Sequence, residues 1–203
     1  HVAVEEPFAG LFTQGMVCHE TYRHDGQWLS PDEVIRNGDG AVLAADGSSA
    51  VSVGAVEKMS KSKKNIVDPD DIIARYGADT ARWFMLSDSP PERDVQWTQD
   101  GIEGAWRFVQ KVWRLFDGHI LEEHDAARFV DGLTASEVDG DDARALYRQV
   151  QLAIDAVTRE LEALGFNRAV ARLYELVNAL GAFKARNGNE AACRAYALAQ
   201  LMK

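Results

Sequence analysis

Eight consecutive residues, Lys58-Met59-Ser60-Lys61-Ser62-Lys63-Lys64-Asn65, place four lysines and two serines in a chain whose formal net charge is −10. Ammonium groups and hydroxyls at this density suit the holding of a phosphate, with charge from the lysines and short hydrogen bonds from the serines. A helix following such a loop would add free backbone N–H groups. A bare lysine cluster is more often a solvated loop, so composition alone does not assign it a ligand. A second basic set, Arg107, Lys111 and Arg114, recurs at helical spacing. It reads either as the solvated flank of an amphipathic helix or as a row of phosphate contacts.

The remaining chemistry-bearing residues form no self-contained catalytic constellation. His1, His19, His24, His119 and His124 lack metal-ligand spacing, and no metal site is expected. Asp68, Asp70 and Asp71 read as residues at a helix start, favoured there by the dipole. Neither common glycine-rich nucleotide loop occurs. Cys18 and Cys193 are two lone thiols without paired spacing, which suits a reducing compartment. With 46% hydrophobic residues in 203, a sizeable core is expected. The acidic balance argues against a surface that coats nucleic acid or anionic membrane, while leaving room for a local basic patch. No apolar run is long enough to span a bilayer and no signal peptide opens the chain, so a cytoplasmic location without a membrane partner is expected. The chain begins at His1 in mid-pattern and reaches Lys203 inside a helical pattern, as expected of a piece of a longer protein.

The elements that must position these residues change character at the lysine–serine stretch. Before it, residues 5–13 suggest a short helix with Phe8, Leu11 and Phe12 on one side, stopped by Gly15. Met16 to Tyr22 reads as a strand, and Asp25-Gly26 as a turn. Ser30-Pro31-Asp32-Glu33 is a helix start cut short by Gly38 and Gly40. Ala41–Ala45 and Ala50–Val56 flank Asp46-Gly47-Ser48-Ser49 as a hairpin. Residues 23–57 therefore read as a small, turn-rich insertion of low independent stability.

After Asn65 the pattern is helical. Asp68 caps a helix with Pro69 at its first position, and Gly77 ends it. Asp79 or Thr80 caps the next, and Pro90-Pro91 keeps residues 87–94 in a loop. Thr98 caps a helix whose apolar face is Ile102, Ala105, Trp106, Val109, Val112, Trp113 and Phe116. Residues 117–140 read as a connection. A helix from about Asp142 to Leu164 carries Leu146, Val150, Ile154, Val157, Leu161 and Leu164, and Gly165 stops it. Asn167 caps another with Val170, Leu173, Val177, Leu180 and Phe183 on one face. Asn187-Gly188-Asn189 breaks it before a last helix near Glu190. The expected fold is mostly α: a small α+β segment with a hairpin-rich insertion, then an antiparallel helical bundle.

Lys58-Met59-Ser60-Lys61-Ser62 is identical to the Lys-Met-Ser-Lys-Ser signature of class I aminoacyl-tRNA synthetases. Asn65, Val67-Asp68-Pro69 and Arg75-Tyr76-Gly77-Ala78-Asp79-Thr80 resemble its usual continuation. Glu6-Pro7-Phe8, Gln14-Gly15-Met16-Val17, Gly101-Ile102-Glu103-Gly104-Ala105, Arg107-Phe108, Val112-Trp113 and Phe166-Asn167 resemble the bacterial leucyl branch. The resemblance covers essentially the whole chain and is weakest over 117–140. Two departures stand out: Lys64 where the family often has glycine, and Arg168 where a smaller polar residue is usual.

The resemblance implies an enzyme that activates leucine with ATP and Mg2+ and transfers it to tRNA(Leu). It divides the chain into residues 1–66, the end of a catalytic domain with the insertion over about 23–57 and the signature loop 58–62; a helical connection over 67–97; and an anticodon-binding-type bundle over 98–203. By this resemblance Lys58 and Lys61 are catalytic, and Lys58, Met59, Ser60, Lys61 and Ser62 bind ATP. Arg107, Lys111, Arg114 and Arg168 are the expected tRNA contacts. Leucyl enzymes generally do not read the anticodon, so recognition through backbone and shape is implied. The class needs a second signature, His-Ile-Gly-His or a variant, which this sequence lacks. The chain alone is therefore expected to bind no cofactor and to catalyse nothing; the protein is expected to be a monomer. Valyl, isoleucyl and methionyl enzymes share the loop and bundle and remain alternatives, as does a non-enzymatic helical RNA-binding module.

Overall fold

The computed structural model describes residues 6–38, 40–116 and 132–203. These residues are about half helical, with six α-helices and two small sheets. The chain divides into two compact units, His1–Ile102 and Glu103–Lys203. The expected connection over 117–140 lies largely outside the described residues.

The first unit is built on β1 (Val17–His24). Asp25 and Gly26 both have positive φ, 48° and 80°, the turn geometry that suits the right-handed twist of a two-residue hairpin, and β2 (Gln27–Leu29) returns antiparallel. Ser30-Pro31 starts only a single 3-10 turn, Pro31–Glu33, in which Glu33 Oε2 accepts from the Ser30 N–H and hydroxyl at 2.8 and 2.7 Å. Those two bonds hold the Glu33 carboxyl below the usual range. β3 (Val34–Asn37) and β4 (Gly40–Leu43) then form their own hairpin. β5 (Ser52–Lys58) pairs with β1, not with β4, to which the chain is joined only through the Val42–Ala50 bridge. The expected hairpin around Asp46-Gly47-Ser48-Ser49 is thus a turn without a ladder. Its two arms pair with different strands, β4 with β3 and β5 with β1. The Asp46 carboxylate accepts from the Ser49 hydroxyl and from the Ser48 and Ser49 N–H groups, which lowers its pKa to about 2. Tyr22, Ala41 and Val51 share one core with Leu29, Val34, Leu43 and Val53.

Residues 6–16 form no helix, which corrects the sequence expectation. Nine residues are too few to sustain a helix without packing, and Phe8 and Leu11 are 75% and 91% exposed. Gly15 is not a helix stop. A Cβ there would lie 1.9 Å from the Arg93 carbonyl oxygen, so glycine permits a backbone approach in which Gly15 N donates to Pro91 O. Asp94 then accepts from Met16 N, and β6 (Val95–Gln96) runs parallel to the start of β1.

α1 (Pro69–Tyr76) begins as expected, with Asp68 accepting from Asp70 N at 2.9 Å, and ends at Gly77 (φ 86°). α2 (Ala78–Ser87) takes that same glycine as its N-cap. Thr80 lies inside the helix, its hydroxyl donating to Tyr76 O, and Asp79 pairs with Arg82, so neither is the cap. α3 (Gln99–Phe116) is capped by Thr98, whose oxygen accepts from Gly101 N at 3.2 Å. Its buried residues are Ile102, Ala105, Phe108 and Leu115; Trp106 and Trp113 are 41% and 73% exposed. The face is rotated from the expected one because Phe108 packs on Tyr174, with ring centroids 3.9 Å apart.

In the second unit α4 (Asp141–Glu162) packs against both α5 (Phe166–Ala182) and α6 (Gly188–Leu201). Leu146, Val150, Val177 and Leu180 are buried here, each contributing roughly 1.5–3 kcal/mol. Ile154, Leu161 and Leu164, expected on the same face, are exposed instead. Leu164, not Gly165, takes the left-handed position (φ 57°), and Gly165 caps α5 in place of Asn167. Phe166 is already the first helical residue, which puts Asn167 inside the helix. The last helix is capped by Asn187, whose side chain accepts from Glu190 N at 2.9 Å.

Candidate functional site

The lysine–serine loop leaves the sheet at Lys58, the last residue of β5, opposite Cys18 of β1. Met59 N donates to Val17 O at 3.1 Å, so pairing to β1 extends one residue beyond the strand. Lys61–Lys63 then form one 3-10 turn, and Lys64 N donates to Lys61 O at 3.3 Å. Lys64 itself is left-handed, with φ 54° and ψ 15°. That conformation explains why glycine would suit the position.

Asn65 closes the loop. It is fully buried. Its side-chain oxygen accepts from Ser60 N at 2.9 Å. Its amide nitrogen lies 3.2 Å from His19 O, 3.2 Å from Glu57 O and 3.4 Å from Lys58 O. One side chain thus ties both flanks of Met59 to β1. Sequence reasoning placed Asn65 in the pattern but gave it no task. The signal that could have found it is an asparagine at the end of a polar loop between apolar segments, where a side-chain amide can replace missing backbone partners.

The four lysines are not equivalent. Lys63 pairs with Glu57, and Lys64 Nζ lies 3.9 Å from Glu33 Oε2. Lys58 and Lys61 are exposed and make no ion pair with a described carboxylate. Met59 is half-buried, Ser62 is exposed, and the Ser60 and Ser62 hydroxyls are 3.4 Å apart. Burial, with the Asp94 charge adding to it, pushes the pKa of the buried Cys18 thiol up and so disfavours its thiolate.

The second basic set lies on α3 and α5. Arg107 Nη1 is 3.9 Å from Glu103 Oε2, and Lys111 Nζ donates to Asn178 Oδ1 at 2.6 Å. Arg114 is exposed in the last turn of α3. Arg168 is bound at 2.6 Å by Glu160 across the α4–α5 turn. Among the described residues no group of three His, Cys, Asp or Glu side chains could hold a metal. No described helix is long and apolar enough to cross a membrane.

Against known proteins, the family model described as tRNA synthetases class I (I, L, M and V) matches residues 47–98. The leucine–tRNA ligase of Brucella abortus (strain S19) is 56% identical over 183 residues, covering 89% of this chain and 20% of the relative. That of Parvibaculum lavamentivorans is 55% identical over 188 residues, covering 90% and 21%. The crystal structure of the ternary complex of Agrobacterium radiobacter K84 agnB2 LeuRS with tRNA and LeuAMS matches 98% of this chain and 21% of that one. Its TM-score is 0.66 at 23% identity, a likeness of fold. The chain spans about a fifth of the length of these relatives. Over that fifth it is similar to leucine–tRNA ligases, and the class I match runs across its lysine–serine loop.

Proposed function

We propose that this chain is the part of a leucine–tRNA ligase that supplies the phosphate-binding loop and the tRNA-binding helices. The whole enzyme activates leucine with ATP and transfers it to tRNA(Leu). The observation that carries the reading is the division among the lysines. Lys63 is paired with Glu57 and Lys64 has Glu33 as a more distant neighbour at 3.9 Å, while Lys58 and Lys61 keep exposed ammonium groups without an ion pair among the described residues.

In the activation step the leucine carboxylate attacks the α-phosphate, and negative charge shifts onto the departing β- and γ-phosphates. Lys58 and Lys61 meet that charge as it develops, which favours the transition state over the ground state. The Ser60 and Ser62 hydroxyls hold phosphate oxygens, and the half-buried Met59 anchors the loop by packing. Among the described residues no cluster of three His, Cys, Asp or Glu side chains is placed to hold the Mg2+ that would accompany ATP. The helices α3–α6 are the anticodon-binding-type bundle, with Arg107, Lys111, Arg114 and Arg168 as candidate RNA-backbone contacts, Lys111 and Arg114 first because neither is ion-paired among the described residues.

The test is leucine-dependent ATP–pyrophosphate exchange by the full-length protein. Lys61→Ala is expected to cost about 2.7–4 kcal/mol of transition-state stabilisation, with KM for leucine unchanged. Lys63→Ala is expected to cost only a few-fold, and the 203-residue chain alone to show no exchange. Equal losses at Lys61 and Lys63 would remove the support drawn from their pairing. The matching family model also names the isoleucyl, methionyl and valyl branches. Activation of one of those amino acids in preference to leucine would move the assignment to that branch.

A further inference from the structure

We infer that Asn65 is the positioning residue for Lys61, and that its carboxamide, not the lysine-rich sequence itself, fixes where the ammonium stands. The inference rests on the reading above, that Lys61 meets the leaving phosphates. Asn65 is fully buried, although the loop it closes is mostly exposed. Its oxygen takes the N–H of Ser60, the residue immediately before Lys61, at 2.9 Å. Its two N–H groups are shared among the carbonyls of His19, Glu57 and Lys58 at 3.2, 3.2 and 3.4 Å. These bonds join the carbonyl of Lys58 and the amide of Ser60 to one rigid group, and that group to the central strand β1. The 3-10 turn closed by Lys64 N and Lys61 O completes the ring. Residues 60–65 are therefore a preformed cassette. Lys61 projects from a backbone held at both ends, and the freedom left to it is that of its own side chain.

The chemistry of the site makes asparagine the fitting residue. The position must accept one hydrogen bond and donate to carbonyls that converge on it, and a carboxamide does both without charge. An aspartate of the same shape would keep the acceptor for Ser60 N and turn its second oxygen toward three carbonyl oxygens. A displacement of about 1 Å in a group that must meet developing charge costs roughly 10²-fold in rate.

The decisive experiment is a double-mutant cycle in full-length protein, read by leucine-dependent ATP–pyrophosphate exchange. Asn65→Asp is expected to lower kcat by roughly 10²-fold, with KM for leucine unchanged. Combined with Lys61→Ala it should add no more than about two-fold, because its effect passes through Lys61. Multiplicative losses in the double variant would make Asn65 a general support of the fold and overturn the inference. If Lys61→Ala itself leaves exchange intact, the functional reading fails. If Lys61→Ala abolishes exchange while Asn65→Asp does not lower it, only the positioning role fails. Hydrogen exchange on the unmodified chain needs no variant to fold. The Ser60 amide should be protected like the β5 amides paired to β1, and exchange as fast as that of Ser62 would overturn the cassette.

Discussion

Lys64 holds a left-handed backbone with φ 54° and ψ 15°, a conformation that costs an L-residue roughly 1–2 kcal/mol. Its side chain recovers little, since the contact with Glu33 is 3.9 Å long and its lysine side chain is 55% exposed. Replacing it with glycine removes the strain but adds unfolded-state freedom. Lys64→Gly is therefore expected to stabilise the chain by about 0.5–1 kcal/mol, measured as a higher urea midpoint at unchanged m-value. A lower midpoint would mean that the lysine side chain contributes more than its geometry suggests. At this scale the sequence was legible where chemistry resides in residue type. Lys58 and Lys61, which the signature points to, are exposed, and neither has an ion pair with a described carboxylate, unlike Lys63 and Lys64. Asn65 was not legible, because its task depends on a carbonyl of His19, 46 residues away in sequence.

Helix boundaries set by one or two neighbouring residues were readable from the chain: Asp68 before Pro69, Gly77 at the end of α1 and Thr98 before α3; Asn187, read from sequence only as part of a break, caps α6 in the structure. Each is a local rule in which a side-chain oxygen meets an N–H two or three residues on, or a glycine takes a positive φ. Asn187→Ala should consequently cost about 1 kcal/mol, checked by chemical denaturation, and should leave exchange activity of the full-length enzyme unchanged. Loss of activity without loss of stability would show that α6's start serves the chemistry directly. Elements that depend on a partner were misread. The exposed Trp113 sat on the expected apolar face of α3, and Ile154 and Leu161 on that of α4. Periodicity places residues on a common stripe but does not say how far a neighbouring helix covers it. The same holds for β5, whose alternation fits a hairpin with β4 as well as the ladder with β1 that it forms.

Across the whole molecule the charge balance is −10, so on the proposed reading any attraction to RNA comes from local cations that neutralise phosphates. Counterion release counts only those contacts, and each lost contact should reduce the slope of log K against log salt by about 0.7–0.9. The four candidate residues differ in this respect. Arg168 is bound by Glu160 at 2.6 Å and Arg107 lies 3.9 Å from Glu103, so each already has a carboxylate neighbour with which RNA would compete. Lys111 bonds a neutral amide oxygen of Asn178 and keeps its net charge, and Arg114 is exposed at the end of α3. In full-length protein binding tRNA(Leu), Lys111→Ala and Arg114→Ala should each lower the salt slope by about 0.7–0.9. Arg107→Ala and Arg168→Ala should leave it nearly unchanged. Equal slopes for all four variants and the parent would make this surface a solvated helix flank. A selective loss at Arg107 or Arg168 would mean that RNA displaces the carboxylate partner, and the ion pairs seen here would then be the competitor that tRNA must outbid.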